Sequence, residues 1–139
     1  MTEPIQTLQA LATTDQLIGA GGRRRYRRET LPISGLLVRI QSLTERELSQ
    51  YQSAVIASSG AKLQRARLED ASRRLIVRCL VDEAGNRLLA DSHVGRLADW
   101  DAADTAYLYE ACAAHVGVNR TDIEDLVKNS DAIPDGSIN

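Results

Sequence analysis

The sequence predicts an α+β fold: a mostly helical single domain with two short β-hairpins. Three observations predict it. Apolar residues recur at helical spacing over several stretches of 10 to 16 residues. Two short aliphatic runs, 36–40 and 79–81, are bounded by turn-forming residues. Finally, 139 residues with 43% hydrophobic and 26% charged content match one ordinary domain, large enough for a core without disulfides or metal.

Residues 1–22 read as a flexible N-terminal arm. Ile5, Leu8 and Leu11 suit a helical turn after Pro4, and Gly19-Ala20-Gly21-Gly22 is expected to break any helix. The globular domain is expected over 23–130. A first hairpin covers about 24–41 and turns at Pro32–Gly35, with Leu36, Val38 and Ile40 on one face and Leu37, Arg39 and Gln41 on the other. Thr44-Glu45-Arg46-Glu47 is a capping box that opens a helix to about Ala57. A longer helix covers about Lys62 to Val77. Its apolar face is Leu68, Ala71, Leu75 and Cys79, and Arg67, Asp70, Arg73, Arg74 and Arg78 lie roughly opposite. Cys79 to Ala90 reads as strand, turn and strand. Asp91 or Ser92 then caps a short helix holding Val94 and Leu97. Asp101 or Asp104 opens the next, which Gly117 stops. Thr121-Asp122-Ile123-Glu124 is a second capping box, the last helix ends at Lys128-Asn129-Ser130, and 131–139 read as a polar tail.

With 4% aromatics and no Phe, the core must be built from Leu, Ile, Val and Ala. Nothing approaches the ~18 apolar residues of a membrane span. Residues 1–12 lack the basic and apolar regions of a secretory signal, so a cytoplasmic protein with reduced Cys79 and Cys112 is expected. Charge is divided unevenly. Residues 1–81 carry 13 Lys and Arg against 7 Asp and Glu, and residues 82–139 carry 4 against 12. Either the halves neutralise each other, or copies associate with Arg23–Arg28 and the exposed face of the 62–78 helix against Asp99, Asp101, Asp104, Glu124 and Asp125.

Arg23, Arg24, Arg25, Arg27 and Arg28 surround Tyr26, a pattern that could hold phosphates while the ring stacks on a base. Strand alternation divides them between two faces, and a pI near 5.7 is wrong for a dedicated nucleic-acid binder. Cys79, His93, Cys112 and His115 could form one zinc site, but the paired spacings of such sites are missing and helix packing explains Cys112 and His115. No nucleophile elbow, phosphate loop or HExxH occurs, so no enzyme and no cofactor are expected. Trp100 sits between Asp99 and Asp101 at a helix junction, as a core plug or a binding platform.

The order of these elements resembles the tail assembly chaperones of tailed bacteriophages and prophages over about residues 31–130. The resemblance rests on Leu36-Leu37-Val38-Arg39-Ile40, on Leu43-Thr44-Glu45-Arg46-Glu47 opening a helix, and on a basic helix running into Arg78-Cys79-Leu80-Val81-Asp82-Glu83-Ala84-Gly85-Asn86. Leu88-Leu89 stands where the family commonly has an aromatic pair. Asp91 to Trp100 is similar to its short helix with a Leu-x-x-Trp step, and Val127-Lys128-Asn129-Ser130 to its last-helix exit. The resemblance implies a small cytoplasmic protein without catalytic activity, made beside a tape measure protein and often in a second, frameshifted form. It would keep the tape measure protein soluble and recruit tail tube subunits to it. The resemblance transfers no binding motif. The candidate partner contacts are Arg23, Arg24, Arg25, Arg27, Arg28, Arg73, Arg74, Leu88, Leu89 and Trp100.

Overall fold

The structure is a computed structural model that describes residues 10–20, 23–59 and 64–132. The expected turn after Pro4 and residues 133–139 of the expected tail lie outside them. The elements are α1 (Thr14–Ala20), β1 (Tyr26–Thr30), β2 (Leu37–Gln41), α2 (Glu45–Ser59), α3 (Gln64–Cys79), β3 (Leu80–Val81), a 3-10 helix (Asp91–Asp99), α4 (Ala102–Val116) and α5 (Arg120–Ala132). One buried cluster joins β2, α2, α3, β3, the 3-10 helix, α4 and α5, so the α+β single-domain reading holds.

The strands form an antiparallel sheet in the order β1-β2-β3. Residues directly opposite each other share a face. Arg27 faces Ile40, which in turn faces Leu80, and Glu29 faces Val38. Ile40, Leu80 and Glu29 are buried against the helices. Tyr26, Arg28, Thr30, Leu37 and Arg39 form the other face. The first hairpin turns at residues 32–34, and Gly35 supplies the positive φ (74°). Asp104 of α4 secures that turn: its carboxylate accepts from the amides of Ile33 (2.7 Å) and Ser34 (3.0 Å). Asp104 is therefore buried and belongs to no outer acidic surface, a correction to the charge reading. The second hairpin is shorter than expected, two residues of β3 and a single bridge from Val81 to Arg87.

The Thr44 capping box forms as read: Thr44 N–H donates to Glu47 Oε1 (2.9 Å) and Glu47 N–H to Thr44 Oγ1 (3.2 Å). Three helix boundaries need correction. Gly19 and Ala20 lie inside α1, whose start Thr13 and Gln16 cap reciprocally, and Gly21 and Gly22 lie outside the described residues. The last helix starts two residues early, since Asn119 and Asp122 form the reciprocal pair in place of Thr121 and Glu124. It also runs through residue 132, past Lys128-Asn129-Ser130. Asp91 does not cap the 3-10 helix. The Ala90 N–H donates to His93 Nδ1 (2.9 Å), which leaves Asp91 to pair with Arg78 (2.8 Å) and Arg87 (2.9 Å).

Helix α3 is the axis of the molecule. It packs against α2, the 3-10 helix, α4 and α5. Ala71, Leu75, Ile76, Val77 and Cys79 are fully buried. Arg73, Arg74 and Arg78 are not an exposed face, contrary to expectation: Arg74 pairs with Asp70 (2.7 Å) and Arg78 with Asp91. Asp70 also accepts from Ser58 Oγ of α2 (2.9 Å). Arginine stems cover apolar surface while the heads find carboxylates at the seams.

Candidate functional site

Among the described residues, grooves open on two parts of the surface, and each is placed by local sequence. The first lies between α3, the 3-10 helix and α4, with a volume of about 390 Å³. A 3-10 helix has three residues per turn, so Asp91, Val94, Leu97 and Trp100 fall in one row. Asp91 ties that row to α3, Val94 and Leu97 are buried, and Trp100 emerges at its end, 37% exposed. Asp101 then caps α4, its carboxylate accepting from the amides of Ala103 (2.9 Å) and Asp104 (3.3 Å). Leu97 and Tyr109 form the floor, and small side chains at Ala98, Ala102 and Ala106 leave room beside the indole. Glu69 and Arg73 of α3 and Glu110 of α4 line the groove as well. Such a groove takes an apolar ridge and offers polar partners around it.

The second groove, about 320 Å³, lies on the sheet's outer face. Leu37 and Leu88, 60% and 55% exposed, line it with Val38, Val81, Asp82 and Glu83. The loop 82–88 holds Leu88 in place. Asp82 Oδ1 accepts from the amides of Ala84 and Asn86 (both 2.9 Å), closing the turn. Arg39 stacks over the Tyr26 ring, 3.9 Å from its centroid, and its Nη1 donates to the carbonyls of Asp82 (3.1 Å) and Glu83 (2.8 Å). Arg28 pairs with Glu83 (2.7 Å). Gly85 has φ of 89°, and a Cβ there would lie 2.8 Å from the Tyr26 hydroxyl, so only glycine fits.

The arginines at 23–28 do not act as one patch. Arg24 forks onto Glu47 (2.6 and 2.8 Å) and also donates to the Ser42 carbonyl (3.0 Å). This fork is the chief cause that holds the Glu47 carboxyl down to about 2. Arg27 pairs with Glu29 (2.6 Å) and Arg28 with Glu83. Arg23 and Arg25 are exposed, with no ion pair among the described residues. Of the expected contacts, Arg73 and Trp100 share the first groove, and Arg28 and Leu88 the second. Leu89 packs against the core, and Arg74 is held by Asp70. Leu37 was not singled out by sequence, although it is the apolar member of an otherwise polar strand face.

The four Cys and His residues stay apart in role. Cys79 and Cys112 are fully buried, and a hydrogen bond to Cys79, with burial, pushes the Cys112 thiol well above its ordinary value. His93 caps the 3-10 helix, and His115 Nε2 lies 3.1 Å from the Arg25 carbonyl. No group of three or more metal-binding side chains is gathered among the described residues. Comparison with family models, curated proteins and solved structures found no match. Among the described residues no helix is long and apolar enough to cross a membrane.

Proposed function

We propose that this chain is a tail assembly chaperone: a cytoplasmic protein that acts without catalysis, binds an apolar helical segment of a tape measure protein, and presents it to tail tube subunits. The observation that carries the reading is the Trp100 groove. A half-exposed indole beside small alanines is suited to an apolar ridge of a partner helix, an arrangement that shields helical segments from aggregation. The sequence resemblance supports the same reading, because the segments that carry it build this framework: the 36–40 strand, the Thr44 cap, the basic α3 and the row from Asp91 to Trp100. The pairing of Arg24, Arg27 and Arg28 with carboxylates disfavours a nucleic-acid role.

The test is co-expression with a tape measure protein from the same gene neighbourhood, followed by co-purification. The two proteins are expected to elute together, and Trp100→Ala to reduce the bound fraction while circular dichroism shows that the variant remains folded. Separate elution of the wild-type chain overturns the proposal.

A further inference from the structure

Strand β1 is one edge of the three-stranded sheet, and its outer side has no neighbouring strand among the described residues. Which of its groups face outward follows from the ladder. An antiparallel pair bonds through every second residue. Ser42 N–H donates to the Arg25 carbonyl (2.8 Å) and Leu31 N–H to the Leu36 carbonyl (2.9 Å), so the odd-numbered residues of β1 bond to β2. The N–H and carbonyl groups of Tyr26, Arg28 and Thr30 therefore point away from β2, and all three residues are exposed. An exposed row of such groups is a template for one more strand.

We propose that this edge takes an acidic, extended segment of a partner protein, which pairs with β1 as a fourth strand. Charge selects the occupant. Residues 23–30 carry five arginines against Glu29 alone. Arg23 and Arg25 are exposed and have no ion pair among the described residues. The Arg27 side chain is 64% exposed although it pairs with Glu29. Glu29 also accepts from the Tyr107 hydroxyl (2.6 Å), so Arg27 can turn to a new carboxylate without stranding the old one. Arg25 and Arg27 are two residues apart and stand on one side of the strand, where alternate carboxylates of an added strand meet them. The same excess of arginine works against pairing with the β1 of a second copy, because arginine then meets arginine across the edge. A nucleic acid offers phosphates but no strand amides, so it cannot complete the ladder. The edge shares no residue with the Trp100 groove and can be tested apart from it.

The test is fluorescence anisotropy of the full chain with a short labelled peptide that alternates glutamate with valine. Saturable binding is expected, weakening as salt rises, since exposed charges are screened within ~8 Å at physiological ionic strength. The analogue with lysine in place of glutamate is expected not to bind. Pairing is read from backbone methylation. A strand bonds to one neighbour through every second residue, so N-methylation at the valines and N-methylation at the glutamates are expected to differ, one abolishing binding and the other sparing it. Arg23→Glu with Arg25→Glu is expected to weaken binding about tenfold, with circular dichroism showing that the variant remains folded. Two methylated peptides that behave alike would reveal a contact of charge alone and overturn the proposal. No binding by the wild type, equal binding of the lysine analogue, or an arginine variant that binds like the wild type overturns it as well.

Discussion

Glu47 does two jobs at once, and the two can be separated by substitution. It closes the Thr44 capping box, and it receives the Arg24 fork. Thr44→Ala removes the acceptor for the Glu47 amide and is expected to cost ~0.5–2 kcal/mol, read as a lower urea midpoint. The Arg24 contact shows instead in pH dependence. With the folded carboxyl held down to about 2, chiefly by Arg24, it ionises more readily folded than unfolded. Its contribution is therefore complete above the unfolded value of ~4.3 and is lost as pH falls from there toward about 2. Arg24→Gln should flatten that acid limb. A midpoint that falls as steeply in the variant would show that other carboxylates set it.

The elements show why some of this fold was legible in sequence and some was not. Local rules served well where local chemistry decides. The Thr44 box, the Asp101 cap and the Gly117 stop (φ 98°) are set by a few neighbouring residues. Helix α3 was harder. Its Leu68, Ala71, Leu75 and Cys79 row marks one buried face, but Ile76 and Val77 are buried too, because four other elements surround it. Periodicity reports a face only when a helix has an outside. Asp104 reads in sequence as a helix opener or part of an acidic surface, because the two amides it receives lie 70 and 71 residues earlier, beyond any spacing rule. Those bonds support a prediction. Asp104→Ala should speed hydrogen exchange at the Ile33 and Ser34 amides while leaving those of α2 slow. Unchanged exchange at Ile33 would mean that the turn holds itself. Of the candidate site, Trp100 and Leu88 were visible as large apolar residues beside turns and caps. The residues that complete them as grooves follow no local rule: Tyr109 lies two turns into the helix after Trp100, and Leu37 comes from a distant strand.

At the scale of the molecule, neither of the two cysteines is in a disulfide, and no group of three metal-binding side chains is gathered among the described residues. A chelator is accordingly expected to leave the melting temperature unchanged, and a marked fall would require Cys79, His93, Cys112 or His115 to hold a metal. The central position of α3 also has a consequence in time. Leu75, Ile76 and Val77 are covered in part by Leu97, Leu108, Cys112, Ile123 and Val127, all of which come later in the chain. On the ribosome, α3 emerges before its cover exists. Nearly 50 residues separate Val77 from Val127, which at ~5–20 residues per second leaves α3 only partly covered for roughly 2.5–10 seconds. During every round of synthesis this protein is briefly the kind of client it is proposed to protect, an apolar helix waiting for its cover.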